Sequence, residues 1–364
     1  MQTGEDRTQL EATGFACHSD PHTDVCVANK PVRIDTHALT VYVAHDQTTS
    51  HGERKVQPYA RKEDKYAMKF VSPVQLFHGN VTPPACHYTH DVPAVVFSSG
   101  GYTGNLFHAF NEVIIPLFIT CRHFRSHLRI IVTDFKPQFV GKYNRILSHL
   151  SQYEVINPAA NGRVHCFPGA VIGLKYHGNL AFNSTEIPGG YTMLDFKQFL
   201  RESYNLKTKN VQEFKELVLI LVSRQKSRMF LNEDEMRMLN SCSVMVGAHG
   251  AGLTNAVFLP AGAVMVQVVP LGLDWASTTY FGRPSHDMGV QYLEYKIEPE
   301  ESSLSNLYGQ DHPVIVDPAT VFSKGYSAAK AVYIDGQNLT INIERFKQTL
   351  VEVIRLLGHP TLLN

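Results

Sequence analysis

Apolar residues in this chain fall into short β-branched runs separated by stretches of helical periodicity. The runs at residues 40–43, 94–97, 129–133, 171–174, 217–222, 243–246 and 264–269 are apolar at successive positions. That is the pattern of strands buried on both faces of a parallel sheet. Between them, apolar positions recur at helical spacing over 105–124, 143–153, 193–204 and 252–258. A last helix over 341–357 aligns Ile343, Phe346, Leu350, Val353, Ile354 and Leu357, and stops at Gly358-His359-Pro360. The alternation predicts an α/β fold with parallel sheets. The polar stretch 205–216 carries five lysine or glutamate residues and is the best linker in the chain. It predicts two domains, 1–205 and 206–364, in keeping with domains of roughly 100–200 residues.

Composition narrows the function classes. At 44% hydrophobic and 18% charged residues, the chain has material for a core and is not a disordered protein. Its 33 basic residues balance 33 acidic ones, which excludes a protein that coats nucleic acid or anionic membrane by bulk charge. Any anion is therefore met by a local cluster. No apolar stretch approaches the roughly 20 residues of a membrane-spanning helix, and the opening MQTGEDRTQL is too polar for a secretory signal. Three N-x-S/T sequons, at Asn80, Asn183 and Asn338, point to the secretory route nonetheless. So do the six cysteines. Cys17 and Cys26 lie in a short polar segment, CHSDPHTDVC, which predicts a local disulfide between them. With His18 and His22 they could instead form a zinc set, but the spacing matches no compact finger, and no metal site is expected.

Three segments carry chemistry. In CSVMVGAHGAGLTNAVFLPAGAVMVQVVP, residues 242–270, a strand leads through a glycine turn into a helix and a second strand. Gly247, Gly250 and Gly252 allow close backbone approach, and the turn aims helix N–H groups outward, an arrangement suited to phosphate. The order G-A-H-G-A-G is neither the dinucleotide fingerprint nor a P-loop, so those chemistries are disfavoured. His249 sits inside the turn. The second segment, SRQKSR, places Arg224, Lys226 and Arg228 directly after the strand at 217–222, where open α/β sheets bind ligands. These cations suit a diphosphate. The third, SSGGYTGNLFHAFNEVIIPLF, opens another helix from a glycine turn. His108 and Glu112 lie four apart on one face of it and could supply a general base.

The runs GNLFHAFNEVIIPLF, SRQKSRMFLNEDEM and VGAHGAGLTNAVFLPAGAVMVQVVPLG, with HDVPAVVFSSGG and EESSLSNLYGQDHPV, resemble glycosyltransferase family 61. The likeness is strongest to the plant branch that decorates xylan with xylose or arabinose. It implies the GT-B architecture: two facing Rossmann-like domains with parallel sheets and a C-terminal helix, which could pack back on the first domain. It implies a type II Golgi protein working in the lumen, its N-terminal anchor removed from this sequence, with disulfides and glycans. It further implies an inverting, metal-independent transferase using UDP-sugars and no cofactor, because cationic side chains and a helix N-terminus neutralise the leaving diphosphate.

Under that resemblance a xylan hydroxyl attacks C1 of the donor pentose and UDP leaves. Glu112 is the expected base and His108 the second choice. Related members often carry an acidic residue where this chain has Ala109. Gly101, Tyr102 and Asn105 fall on the acceptor side. Arg224, Lys226, Arg228, His249, Gly250, Ala251, Gly252, Leu253 and Thr254 fall on the donor side. Glu301 is expected at the ribose and Trp275 near the uridine. The family carries a longer connection, with a further strand and helix, ahead of the position of Cys242; here residues 235–241 run almost straight into it, which implies a smaller donor-side sheet. UDP-xylose is the first-choice donor, for a xylan β-1,2-xylosyltransferase. UDP-arabinofuranose on xylan, a family activity on N-glycans, and a sugar-nucleotide or glycan-binding protein without turnover are the alternatives.

Overall fold

The computed structural model describes residues 4–44, 52–79, 81–160, 162–222 and 241–358. It divides into two compact units, Met1–Thr192 and Met193–Asn364. The division falls ahead of the helix Met193–Tyr204, whereas the polar stretch in the sequence places it at 205/206.

The first unit is built on two stacked sheets. One has the order β1 (Phe15–Ser19), β2 (Asp24–Ala28), β11 (Ala170–Ile172), β8 (Ala94–Ser98), β9 (Arg129–Thr133). Its β11, β8 and β9 run parallel, while β1 and β2 are antiparallel additions. Side chains alternate along β8. Ala94 and Val96 face the second sheet, while the Phe97 ring contacts Phe139 of the helix Pro137–Lys142. Both faces are thus covered, which is why β8 reads as an unbroken apolar run. The second sheet has the order β5 (Gly52–Val56), β6 (Val74–His78), β4 (Thr40–Val43), β3 (Val32–Asp35), β10 (Val164–Phe167), β7 (Tyr88–Thr89). Its inward residues Val32, Ile34, Val41, Val43, Val74 and Leu76 share one core with the first sheet. The outward positions of VRID and GERKV are polar, so these strands carry only half the apolar signal of β8. The expectation for 40–43 holds in part: that strand is parallel to β6 but antiparallel to β3, and its Tyr42 is only half-buried.

Two disulfides close this unit. Cys17–Cys26 is a cross-strand pair of β1 and β2, which uses both cysteines of the alternative zinc set. Cys86–Cys166, with a sequence separation of 80, ties the segment before β7 to β10. In the chain-entropy picture a loop of that length is stabilised by roughly 4 kcal/mol. Cys121 and Cys242 are buried thiols. Asn183 and Asn338 are exposed, as glycan acceptors must be, and Asn80 lies outside the described residues.

The second unit holds a fully parallel sheet, β12 (Leu219–Val222), β13 (Val244–Ala248), β14 (Val264–Val269), β15 (Gln291–Lys296). Strands β13 and β14 are buried on both faces, as their sequence predicts. Strand β12 is not: among the described residues it pairs with β13 alone, and Leu221 is 68% exposed. The terminal helix runs Ile343–Leu356, is capped by the Asn342 side chain, and packs Phe346 and Val353 over β15 and its neighbours. Short helices between Ser303 and Ala329 enclose a separate small core of Leu304, Val314, Ile315, Val321 and Tyr333. Several start at prolines and span one turn, too short for a periodicity to register.

Glu301 pins the terminal helix. Its buried carboxylate accepts from Tyr295 Oη, the N–H groups of Glu298 and Asn342, and Arg345. Replacing Glu301 by Ala strands all four donors and should destabilise the second unit by roughly 3 kcal/mol, read as a fall in its unfolding midpoint.

In the first unit His90 Nε2 lies 3.0 Å from His165 Nδ1, and His90 stacks on Phe167 at 4.5 Å. Burial and then the charge of Arg129 hold His90 down at about 4 and lower His165 as well. Burial and Lys175 hold His177 at about 4. The native state therefore binds fewer protons than the unfolded chain, whose histidines titrate near 6.5. Stability is full above that value and is lost as pH falls toward 4. Melting temperature measured against pH should show that fall, and joint replacement of His90 and His165 by Asn should flatten part of it.

Candidate active site

In the first unit the site grows from the C-terminal ends of β8 and β9. Asp134 accepts from the Ser72 amide at 2.9 Å and from Ser98 Oγ at 2.6 Å, fixing the turn that follows β8. Gly100 and Gly101 occupy that turn for steric reasons. A Cβ on Gly100 would collide with the Phe70 carbonyl oxygen, and one on Gly101, at φ +52°, with the Tyr59 ring. Asn105 then caps the next helix, its side chain accepting from the Phe107 amide at 2.9 Å. That helix contains one π-helical turn, Phe110–Ile114, a distortion frequent at functional sites. Within it, Asn111 Oδ1 accepts from the Leu180 amide at 2.8 Å.

Glu112 lies in the same turn and is 0% exposed. Its carboxylate accepts from His108 Nδ1 at 2.7 Å, Arg61 Nη1 at 2.9 Å and Tyr59 Oη at 2.5 Å. Burial and then the charge of Glu112 raise the Tyr59 phenol far above its ordinary value, so it remains a donor. Burial opposes the charge on Arg61, but Glu112 and Asp64 outweigh it and raise the guanidinium. The Tyr59 oxygen in turn accepts from the Tyr102 amide at 3.2 Å. His108 is the exposed member of the pair, with 21% of its side chain accessible. With Nδ1 donating to Glu112, its Nε2 carries the lone pair. Of the expected pair, Glu112 has no solvent contact and three donors, whereas His108 is partly exposed. Tyr59 and Arg61 were missed in the sequence, because they lie some 50 residues upstream in a loop without periodicity.

In the second unit the turn after β13 holds His249 and Gly250. Gly250 has φ +145° and precedes the 3₁₀ helix Ala251–Phe258. The other two glycines serve packing. A Cβ on Gly247 would come within 2.9 Å of the Leu253 side chain, and one on Gly252 within 3.0 Å of Val222. His249, Gly250, Ala251 and Gly252 are partly exposed, while Leu253 and Thr254 are fully buried. The last two therefore shape the turn and offer no side chain to a ligand. His249 Nδ1 lies 2.8 Å from Gln267 Nε2 and 3.2 Å from Ser277 Oγ. The amide of Gln267, buried among the apolar residues of β14, accepts from Tyr292 Oη at 3.0 Å, and Tyr292 also meets Glu294 at 2.8 Å. This chain holds the imidazole in one orientation and explains a glutamine in the middle of VMVQVV.

Trp275, 71% exposed, lies two residues before Ser277, next to Tyr280. Glu301 is elsewhere in function: its four internal donors leave no lone pair for a ribose hydroxyl. Arg224, Lys226 and Arg228 lie outside the described residues. No group of three metal-ligating side chains occurs among the described residues.

No family model matches the chain. It is 35% identical to an alpha-1,3-arabinosyltransferase of Oryza sativa subsp. japonica, over 97% of this chain and 67% of that protein. It is 36% identical to a beta-1,2-xylosyltransferase of the same organism, over 83% and 72%. A xylan glycosyltransferase of Arabidopsis thaliana is 31% identical over 96% and 79%. The first alignment spans 386 positions against 364 residues here, so the relative carries residues that this chain lacks. With this identity sustained across nearly the whole sequence, the chain belongs to glycosyltransferase family 61, alongside the plant xylan arabinosyl- and xylosyltransferases.

Proposed function

We propose that the chain is an inverting, metal-independent glycosyltransferase that moves a pentose from a UDP-sugar to a hydroxyl of the xylan backbone. The observation that carries this reading is the buried Glu112 holding a partly exposed His108 at the end of a parallel sheet. Each unit has a parallel core with a glycine turn at its strand ends, which supports a GT-B architecture.

In the proposed reaction the acceptor hydroxyl gives its proton to His108 Nε2 as its oxygen bonds to C1 of the donor sugar. The C1–O bond to the diphosphate breaks, the anomeric carbon inverts, and UDP departs with the bonding pair. Glu112 stabilises the imidazolium that forms and keeps Nε2 turned outward. His249, the N-terminus after Gly250, and Arg224, Lys226 and Arg228 meet the charge on the leaving group. Xylose is the first-choice sugar and arabinofuranose the second; relatives of both kinds stand at 35–36% identity. The two disulfides support work in an oxidising lumen, here the Golgi. A binding protein without turnover is the competing reading, favoured by the residues this chain lacks relative to the arabinosyltransferase.

UDP release from a panel of UDP-sugars, with and without xylan oligosaccharides, tests the proposal. Acceptor-dependent release from one UDP-pentose without added metal is the expected result. His108→Ala should lower kcat by about a hundredfold or more, and Glu112→Gln by less, with UDP affinity unchanged in both. Full transfer by His108→Ala would sink the assignment of the base. UDP binding without release from any donor would favour the binding protein.

A further inference from the structure

A track of aromatic rings leads away from His108 across the surface of the first unit. Tyr102 lies 5.0 Å from the His108 ring. Tyr66 follows at 6.3 Å, its plane within 24° of Tyr102. Phe70 comes next at 5.5 Å, turned edge-on at 69° to Tyr66. Tyr66 is 60% exposed and Phe70 52%. Single exposed apolar residues are ordinary, but adjoining large exposed rings mark a binding surface.

The platform is rigid where a surface loop would ordinarily yield. Asp64 accepts from the amides of Tyr66 at 3.1 Å and Ala67 at 3.0 Å, and is itself held by Arg61 at 3.0 Å. Gln57 donates to the carbonyls of Met68 at 2.9 Å and Val71 at 2.8 Å. The Phe70 carbonyl rests against Gly100, which has no side chain to hold it off. Rings fixed in this way lose little entropy when a ligand covers them. Cations adjoin the rings: Arg61 lies over the Tyr102 ring at 5.9 Å and Lys69 over that of Tyr66 at 5.8 Å. A sugar presents an apolar C–H face bordered by hydroxyls, which an aromatic ring and nearby N–H donors meet together.

We propose that Tyr102, Tyr66 and Phe70 are stacking subsites for successive sugar residues of the acceptor polysaccharide, the residue to be modified lying at His108. The inference rests on the reading of the chain as a xylan-directed transferase. The occupant is argued from continuity: a polymer that offers one hydroxyl to His108 must continue over the adjoining surface, and the ring track begins there.

Calorimetric titration of the protein with β-1,4-xylo-oligosaccharides of two to six residues tests it. Affinity should rise with length in the unaltered protein. Tyr66→Ala and Phe70→Ala should each weaken xylohexaose by about three- to tenfold while leaving xylobiose unchanged, and Tyr66→Phe should behave as wild type. Both rings are exposed, so the fold survives their removal, and an unchanged melting temperature checks this. In turnover the double alanine variant should raise KM for xylohexaose with kcat within about twofold. Equal xylohexaose affinity in the natively folded double variant would overturn the inference, as would a self-association of the chain that the double variant abolishes. Turnover without ring dependence would refute the subsites and keep the transferase. Ring-dependent xylan binding without turnover would do the reverse.

Discussion

Three side chains from two separate stretches of the first unit converge on one carboxylate that has no contact with solvent. Glu112 takes a donor from its own helix in His108, and two more from the loop that carries Tyr59 and Arg61. A buried charge is tolerated only when paired and hydrogen-bonded, so the surrounding chain has to satisfy it. The glycines at 100 and 101 let the Tyr59 loop come close enough, the π-helical turn sets the carboxylate inward, and Asp134 holds the turn and the Ser72 end of the loop together. The exposed edge of this arrangement is His108, with the rings of Tyr102 and Tyr66 beyond it. Removing a donor leaves the buried charge less well satisfied, which couples the three side chains to one another.

The second unit solves its problem differently. There the polar group is an amide, Gln267, neutral and wholly buried, and it passes orientation from Tyr292 to His249 without a charge in the core. The carboxylate of this unit, Glu301, sits at the terminal helix and is satisfied there.

Much of the fold was legible where burial is two-sided. The strands β8, β9, β13 and β14 are apolar at successive positions, and the helices at 105–124 and 193–204 carry clear periodicity. The six-stranded sheet was mostly invisible, because VRID buries one side chain in two, GERKV buries only Val56, and such strands end after four or five residues. Of the site, the local i, i+4 pair His108–Glu112 was readable; which member faces solvent was not, because that depends on Tyr59 and Arg61, brought in from far away in sequence. The glycine turn at 247–252 looked like a ligand cradle throughout. Two of its glycines answer instead to Val222 and Leu253, a packing demand that sequence spacing cannot distinguish from ligand approach.

The placement of the cysteines divides the molecule into chemically unlike halves. Four of the six cysteines are bridged, all within Met1–Thr192, and beyond that boundary only Cys242 occurs, as a buried thiol. The half that carries His108 thus depends on an oxidising compartment to mature, while the half that carries His249 has no covalent demand on its surroundings. A reducing host would be expected to yield a protein whose second unit is sound and whose first is slack, a failure easily mistaken for an inactive chain.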